Sequence, residues 1–265
     1  MTSESARAPG EERATLKSHI LEQPPGTLRM SIVIPTLNER GNASELILKI
    51  ESLFPEEPEI IIVDDGSSDG TLDSISALRQ RFGRIHVIER GARYGIGSAV
   101  RDGIRFALDH TECDRIVTMD ADWSHDPEEL PTLIDSARDV DLVQGSRYTE
   151  GGTIVGWPPT RRLLSILGNG ACRLLFHTGL REHTTFYRVF NRDCAKLIVA
   201  NVEDDGYAWG VRSLVVALAA GFQAREVPIR FVERTNGNSK LGIREMAGWF
   251  FSIVRFLGQR QRRRL

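Results

Sequence analysis

The stretch Ile116-Val-Thr-Met-Asp120-Ala-Asp122-Trp-Ser-His125 decides both the fold and the site of this chain. An apolar, β-favouring run leads directly into two carboxylates that stand two residues apart. Open α/β sheets bind ligands at the carboxyl ends of their strands, and paired carboxylates there offer the hard oxygen ligands that divalent cations take. Aspartate is also common in solvated turns at strand ends. By itself the stretch therefore fits either a metal and diphosphate site or an ordinary turn.

The composition indicates a folded globular protein without an electrostatic preference for nucleic acid. The chain has 265 residues, of which 41% are hydrophobic and 26% are charged, and this length is enough for a full core. The formal net charge is −2, so we expect no nucleic-acid partner. Cys113, Cys172 and Cys194 lie far apart and show neither disulfide nor zinc spacing, which favours a reducing, cytoplasmic location.

Strand and helix patterns alternate through the first half of the chain, which predicts an α/β fold. Such alternation favours a mostly parallel sheet with right-handed crossovers and flanking helices. We expect a disordered segment over residues 1–28, one domain over 29–257 with halves at 29–148 and 149–257, and a basic tail over 258–265. Predicted strands lie at 30–35, 59–63, 85–89, 116–119, 141–145, 187–190 and 224–231, and predicted helices at 46–53, 71–82, 98–109, 127–137 and 211–220.

The C-terminal residues suggest contact with a membrane surface. The longest uncharged run, residues 213–224, is too short to span a bilayer. Residues 243–257 place aromatic and aliphatic side chains at helical spacing, and four arginines follow within the last six residues. A helix of this kind with a basic tail is typical of peripheral attachment to anionic lipid. A core-packing helix with a solvated tail is the alternative.

Polar segments also follow the first two predicted strands, at the same sheet edge as the paired acids. They are Pro35-Thr-Leu-Asn-Glu39 and Val63-Asp-Asp-Gly-Ser-Ser-Asp-Gly-Thr71. An acid at such a strand end can accept hydrogen bonds from a nucleobase or from ribose hydroxyls. We favour this role for Asp65, because a second acidic strand end beside the first is destabilising through like-charge repulsion. For Asp69 we favour a turn or helix cap.

With Gly145-Ser-Arg-Tyr148 and Ser239-Lys-Leu-Gly242, these segments make five motifs in a family-like order. Over about residues 30–257 the sequence resembles the family 2 glycosyltransferases of the GT-A fold, and most closely the polyprenyl (dolichyl) phosphate mannose synthases. The resemblance implies a Rossmann-like, mostly parallel sheet flanked by helices, with amphipathic helices in the C-terminal half. It implies metal-dependent, inverting transfer of a sugar to a polyprenyl phosphate, with Mg²⁺ or Mn²⁺. The sugar expected is mannose, from GDP-mannose. It also implies a peripheral position at the cytoplasmic face of the membrane.

The resemblance further implies roles for individual residues. The metal ligands are Asp120 and Asp122, and the catalytic residues are Asp122, Arg147 and Arg188. Arg147 and Arg161 hold the acceptor phosphate. No general base is assigned, because a phosphate monoester is already largely ionised at neutral pH. The donor-binding residues are Pro35, Leu37, Glu39, Val63, Asp65, Asp120, Ala121, Asp122, Arg234 and Lys240.

Four positions leave alternatives open. His125 is a third metal ligand, a base, or a loop histidine at the start of the helix after Asp126. Leu37, Glu182 and Arg212 depart from the family pattern, which usually has Tyr, Asp and an acid there. The departures keep open a different donor (UDP-glucose or UDP-N-acetylglucosamine), a soluble acceptor, or a nucleotide-sugar-binding scaffold without activity.

Two other enzyme classes fit the sequence poorly. The glycine-rich segment at residues 91–97 does not follow the first strand with the G-x-G-x-x-G spacing of a dehydrogenase. A sugar nucleotidyltransferase would carry a glycine-rich loop with Arg or Lys directly after Ile34, where this chain has Pro-Thr-Leu-Asn-Glu.

Overall fold

Strands and helices alternate along the chain in the computed structural model, which describes residues 28–54, 58–233, 252–253 and 255–258. The strands are β1 (Met30–Thr36), β2 (Glu59–Asp64), β3 (Ile85–Glu89), β4 (Arg115–Thr118), β5 (Leu142–Ser146), β6 (Thr153–Val155), β7 (Arg188–Asn191), β8 (Ala224–Pro228) and β9 (Arg230–Val232). The helices are α1 (Asn42–Leu53), α2 (Thr71–Arg81), α3 (Ile96–His110), α4 (Leu130–Ser136), α5 (Pro159–Phe176), α6 (Arg192–Asn201) and α7 (Ala208–Ala219). A short 3-10 helix, Pro127–Glu129, precedes α4.

Seven of these strands form one sheet in the order β3-β2-β1-β4-β7-β5-β8. Strand β7 is antiparallel to both of its neighbours, whereas the other adjacent pairs are parallel. Strands β6 and β9 form a separate parallel pair. Both halves of the chain build the main sheet, because β7 and β8 come from the second half. The predicted mostly parallel sheet with flanking helices is confirmed.

The central strands are apolar on both faces because helices cover both sides of the sheet. Along β1, Ile32 and Ile34 face one apolar cluster and Val33 faces the other, and all three are fully buried. The first cluster includes residues of α1, α2 and α4, and the second includes residues of α3, α6 and α7. Side chains that alternate between two hydrophobic layers explain why β1 and β2 read as uninterrupted apolar runs.

Two glycines allow the loop before α7 to rest on the start of α3. Gly95 has a φ of +105°, and a Cβ added at Gly97 would lie 2.5 Å from the Gly206 carbonyl oxygen. The Gly97 amide donates to the Asp205 carbonyl at 2.8 Å. The glycine-rich segment therefore serves close backbone packing, which explains its presence without a dinucleotide site.

One predicted strand is wrong, and several predictions lie outside the described residues. The strand expected over 224–231 is two strands in different sheets, because β8 pairs with β5 as far as Pro228 and β9 pairs with β6 from Arg230. The Ile229 amide still donates to the Ser146 carbonyl at 3.0 Å, so the change of partner comes directly after it. Residues 252–253 and 255–258 are helical, as predicted. Residues 1–27, 234–251 and 259–265 are not described, so the disordered segment, the aromatic residues 249–251 and the basic tail are not tested. Within the described residues, no helix combines the length and the apolar character needed to cross a bilayer.

Candidate active site

The parallel register brings the acidic segments after β1, β2 and β4 to one edge of the sheet. Thr36 of β1 lies opposite Asp64 of β2, and Val33 of β1 lies opposite Thr118 of β4. The Thr36 hydroxyl donates to Asp64 Oδ2 at 2.9 Å and ties two of the strand ends together. The chain leaves β4 at Thr118 and reaches Asp120 immediately beyond the ladder. The site predicted from the sequence therefore has a common edge on which to form.

A strained turn holds the paired acids. Asp122 is 7% exposed, and its Oδ1 accepts from the Ser124 amide at 3.0 Å. Trp123 adopts the left-handed region with a φ of +64°, which is uncommon for a bulky residue. Its indole nitrogen donates to the Asn42 carbonyl at 3.3 Å and so fastens the turn to α1. Backbone strain of about 1–3 kcal/mol that the surroundings hold in place is typical of functional sites.

The residues of this turn fit a divalent cation. Ser124 is 3% exposed, and its hydroxyl oxygen has no hydrogen-bond partner among the described residues. A buried hydroxyl without a hydrogen-bond partner is unfavourable, and a bound ligand or ion would stabilise it. The carboxylates of Asp120 and Asp122 are hard oxygen donors of the kind that Mg²⁺ and Mn²⁺ take, and Ser124 follows them in the same turn. No three His, Cys, Asp or Glu side chains form a complete metal cluster in the described part of the chain, and Mg²⁺ sites commonly add waters and substrate phosphates.

His125 holds the backbone of Asp120, the first of the paired acids. Its Nδ1 accepts from the Asp120 amide at 3.0 Å, so the ring proton resides on Nε2. The ring stacks on Tyr187 at a centroid distance of 4.8 Å and is 1% exposed. Burial lowers the pKa of His125 to about 3, so the ring is neutral at physiological pH. A protonated Nε2 offers no lone pair to a metal, and Asp126 caps the following helix turn, so His125 positions the backbone of Asp120.

Asp65 is joined to the loop after β3. Its Oδ2 accepts from the Gly95 amide at 2.9 Å, and Arg90 Nη1 lies 3.0 Å from its Oδ1. Arg90 in turn lies over the Tyr94 ring, with Cζ 4.9 Å from the ring centroid. Asp65 is 5% exposed. Asp65 is therefore one member of an ion pair with Arg90. The sequence patterns did not single out Arg90.

The neighbouring acids organise the same loops. Asp64 accepts from the amides of Gly66 and Ser67 at 3.1 and 2.8 Å. Asp69 Oδ1 accepts from the Thr71 amide at 3.0 Å, as the turn interpretation predicts. Glu39 is buried, and its Oε2 accepts from Asn42 Nδ2 at 3.0 Å. Asp64 and Asp69 thus serve the backbone, whereas Glu39 and Asp65 lie where a donor nucleotide is predicted.

The other predicted donor-binding residues lie along this edge or outside the described residues. Pro35 stands opposite Val63 in the ladder between β1 and β2. The Val63 side chain is fully buried in the core, so only its backbone is available to a ligand. Leu37 is partly buried, and Ala121 is buried between the paired acids. Arg234 and Lys240 lie outside the described residues.

Arg147 follows β5 and forms a buried ion pair with Glu182. Its Nε and Nη2 donate to the two carboxylate oxygens of Glu182 at 2.8 and 3.0 Å, and Nη2 also donates to the Thr184 hydroxyl at 2.6 Å. Burial alone would raise the pKa of Glu182, but Arg147 outweighs it and lowers that pKa to about 2. The longer Glu at position 182 therefore still meets the arginine. Arg147 acts at the site as one member of a pair, not as an isolated cation.

Trp157 connects Arg147 to Arg161. The Arg147 Cζ atom lies 4.9 Å from the Trp157 ring centroid and 5.1 Å from that of Phe231. On Trp157 the Arg161 Cζ atom lies 4.2 Å from the centroid, and its guanidinium pairs with Glu233. Both arginines predicted to hold the acceptor phosphate thus share one aromatic ring. The sequence offered no signal for Trp157 beyond its place just before α5.

Arg188 is the first residue of β7 and pairs with Thr118 at the end of β4, and its side chain points into the protein. It is fully buried, and its guanidinium donates to the Gly210 and His183 carbonyls at 2.7 and 3.0 Å and to the Ser213 hydroxyl at 2.8 Å. Burial lowers its pKa to about 9, so it remains charged at neutral pH. These contacts leave no exposed surface for a substrate. Arg188 was predicted to be catalytic, and this burial instead suits a role in positioning the loop that carries Glu182.

Arg212, the third departure from the family pattern, has a structural partner. Its Nη1 lies 2.5 Å from Asp204 Oδ2, and its Cζ lies 4.6 Å from the Phe256 ring centroid. Ser252 donates to the other carboxylate oxygen of Asp204 at 2.6 Å. Arg212 thus helps to hold the C-terminal helical residues against α7.

Comparisons with known proteins identify similar sequences among the glycosyltransferases. Residues 31–198 match the profile of "Glycosyl transferase family 2". The "Undecaprenyl-phosphate mannosyltransferase" of Micrococcus luteus is 35% identical over 215 residues, which cover 81% of this chain and 88% of that protein. The "Polyprenol monophosphomannose synthase" of Mycolicibacterium smegmatis is 36% identical over 245 residues, which cover 90% of this chain and 87% of that protein.

Solved structures agree on the fold. Glucosyl-3-phosphoglycerate synthase from Mycobacterium tuberculosis in complex with UDP superposes with a TM-score of 0.63 at 20% identity, covering 88% of this chain and 80% of that one. The complex of the same enzyme with Mg²⁺ and UDP gives a TM-score of 0.60 at 20% identity, covering 84% and 75%. These likenesses confirm the predicted GT-A fold. With the family profile and the two relatives across most of its length, the chain belongs to glycosyl transferase family 2.

Proposed function

We propose that this glycosyltransferase moves mannose from GDP-mannose to a polyprenyl phosphate, with Mg²⁺ or Mn²⁺ at the paired acids. The observation that carries the proposal is the strained turn after β4, where Asp120, Asp122 and the buried, unpartnered hydroxyl of Ser124 offer oxygen donors. Two relatives whose names specify mannose transfer to polyprenyl phosphate support the choice of sugar and acceptor.

The donor would lie along the edge formed by β1, β2 and β4. Glu39 and Asp65 would contact the nucleoside, with backbone contributions from Pro35, Leu37 and Val63. The paired acids and Ser124 would hold the cation beside the diphosphate. When bound, the cation supplies positive charge to the diphosphate oxygens of the leaving nucleotide. Arg234 and Lys240 are proposed to add cationic contacts to the same diphosphate.

The transfer is an inverting displacement. An oxygen of the acceptor phosphate attacks the anomeric carbon while the bond from that carbon to the diphosphate oxygen breaks, so GDP leaves and a mannosyl phosphodiester forms. The acceptor phosphate is already largely ionised at neutral pH and needs no strong base, and the Nδ1 lone pair of His125 already accepts from the Asp120 amide. The protein therefore contributes position and electrostatic stabilisation rather than proton transfer.

The acceptor phosphate is proposed to meet the two arginines that share Trp157. Arg161 is the more accessible of the two, with a third of its side chain exposed, and a phosphate would compete with Glu233 for its guanidinium. Glu182 holds Arg147 in a fixed orientation. Because the acceptor is a membrane lipid, we propose that the enzyme works peripherally at the cytoplasmic face of the membrane.

The test is a transfer assay with purified protein and a short-chain polyprenyl phosphate. GDP-mannose, UDP-glucose and UDP-N-acetylglucosamine are compared as donors, each with Mn²⁺ and with EDTA. We expect mannolipid from GDP-mannose only, and none in EDTA. Transfer from a UDP-sugar would show that GDP-mannose is not the donor. Transfer only to a soluble acceptor would show that polyprenyl phosphate is not the acceptor. Nucleotide-sugar binding without turnover in any combination would identify a scaffold.

A further inference from the structure

Tyr94, in the loop between β3 and α3, is exposed at the end of the sheet where the donor nucleotide is proposed to lie. Its side chain is 57% exposed, whereas every other aromatic side chain among the described residues is buried or partly buried. A single exposed apolar residue is ordinary on a protein surface. What distinguishes Tyr94 is that a buried ion pair holds its ring beside Asp65.

Arg90 supports the Tyr94 ring from one face. Its Cζ atom lies 4.9 Å from the ring centroid, and its own side chain is only 8% exposed. Nη1 of Arg90 lies 3.0 Å from Asp65 Oδ1, and Nη2 donates to the Ser98 hydroxyl. A guanidinium fixed in this way presents a planar, cationic face to an aromatic ring. The ring therefore has little freedom left to lose when a ligand binds.

The backbone of the Tyr94 loop is fixed to the same carboxylate. The amide of the next residue, Gly95, donates to Asp65 Oδ2 at 2.9 Å. A Cβ added at Gly66 would lie 3.2 Å from the Ala92 amide nitrogen, so the loops after β2 and β3 are in close backbone contact. Asp65, Arg90 and Tyr94 thus form one rigid unit.

The strand order sets the distance from this unit to the paired acids. The paired acids follow β4, so Asp65 after β2 is two strands away and the loop after β3 is three strands away. At about 4.8 Å between neighbouring strands, these separations are roughly 10 and 14 Å. A nucleotide with its diphosphate beside the paired acids would extend its ribose and base over a comparable distance. This step rests on the proposed donor site.

We propose that the exposed face of the Tyr94 ring stacks on the base of the donor nucleotide and selects a purine over a pyrimidine. Arg90 is the positioning residue that holds the ring, and Asp65 accepts hydrogen bonds from the nucleoside beside it. A purine has two fused rings and covers more of an aromatic side chain than a pyrimidine does. The stack therefore stabilises bound GDP more than bound UDP.

Isothermal titration of the full chain with GDP, UDP and pyrophosphate, each with Mn²⁺, tests the stack. Tyr94→Ala should weaken GDP binding about tenfold or more and UDP binding less. Pyrophosphate has no base, so its Kd should not change. Tyr94→Phe is the matched control, because it keeps the ring and should bind GDP within about twofold of wild type. Since Tyr94 is exposed, both variants should fold, and their Tm without ligand checks this.

A double variant tests the role of Arg90. Arg90→Gln should weaken GDP binding, because the Tyr94 ring loses its support. The loss should not add to that of Tyr94→Ala when the two changes are combined, since both remove the same stack. Additive losses would show that Arg90 acts on the protein independently of Tyr94 and would overturn its positioning role.

Three results would overturn the stack on a purine. They are unchanged GDP binding by Tyr94→Ala, equal losses for GDP and pyrophosphate, and equal losses for GDP and UDP. In the first case the proposed donor site still stands, because wild type binds GDP with Mn²⁺. Wild type that binds neither GDP nor pyrophosphate would instead contradict the proposed function, and this inference would fail with it.

Discussion

At the residue scale, His125 shows how a buried side chain fixes the backbone of an acid at the sheet edge. The ring accepts from the Asp120 amide and stacks on Tyr187, so the turn has a rigid support below the paired acids. Sequence alone left three roles open for this histidine. The choice among them depends on which ring nitrogen carries the proton, and only the position of the Asp120 amide decides that.

The depressed pKa of His125 predicts a specific pH dependence of stability. Burial lowers this pKa from 6.5 to about 3, so between these values the unfolded chain binds a proton that the folded chain excludes. The free energy of unfolding should therefore fall as the pH falls through this window. His125→Gln lacks the effect and should lose less stability than wild type between about pH 7 and pH 4.5 in urea denaturation. An equal loss in both proteins would contradict the burial of a neutral ring.

The pair between Arg147 and Glu182 predicts a large effect of a small substitution. Glu182→Gln removes the counter-charge of a buried guanidinium, which should lower the free energy of unfolding by about 3–5 kcal/mol. Glu182→Asp keeps the charge and should recover part of that loss. Asp139→Asn, which breaks the exposed pair with Arg225, is the control and should cause no measurable change. Urea denaturation measures all three, and a neutral Glu182→Gln would contradict the pairing.

At the scale of elements, the first half was predictable because local pattern and tertiary environment agree there. β1 and β2 are apolar runs since both sheet faces are covered, and turn residues mark their ends. The second half was less predictable. The break between β8 and β9 follows from the different partners of the two strands, and the exposed face of α5 resembles a core-facing stripe in sequence. Such features depend on what lies opposite an element, which a local pattern does not contain.

The close approach of the 204–206 loop to α3 predicts opposite effects of two glycine substitutions. A Cβ at Gly97 would lie 2.5 and 2.6 Å from two backbone carbonyl oxygens, so Gly97→Ala should destabilise the protein by about 1–3 kcal/mol. Gly170 of α5 has nothing within 4 Å of its added Cβ, so Gly170→Ala should stabilise it by about 0.5–1 kcal/mol. Urea denaturation of both variants measures the difference, and a tolerated Gly97→Ala would contradict the packing.

At the scale of the whole molecule, one sheet built from both halves brings the acidic segments after β1, β2 and β4 to a common edge and places Arg147 directly after β5. The position of the acidic segments followed from parallel strand order, so the sequence predicted their common edge. The ion pairs at Arg90 and Arg147, the stack on Trp157 and the unpartnered hydroxyl of Ser124 could not be predicted. They join residues distant in sequence or depend on the burial of a single atom.

Nucleotide binding should stabilise the whole fold in a metal-dependent manner. A ligand at about 100 times its Kd adds about 2.7 kcal/mol, which should raise the Tm of a protein of this size by roughly 5 °C or more. We expect GDP with Mn²⁺ to produce this shift in wild type, and GDP with EDTA or Mn²⁺ alone to produce much less. A shift of equal size with GDP in EDTA would remove the metal from the proposed donor site.

The most direct test of the central claim is mannose transfer from GDP-mannose to a short-chain polyprenyl phosphate by wild type, Asp122→Asn and Asp126→Asn in Mn²⁺. Asp122 belongs to the proposed metal pair, whereas Asp126 caps the next helical turn, and Asn preserves that cap. We predict that Asp122→Asn loses about 100-fold or more of kcat/KM and that Asp126→Asn stays within about twofold of wild type. Equal activity of Asp122→Asn and wild type, or no mannolipid from wild type, would contradict the account.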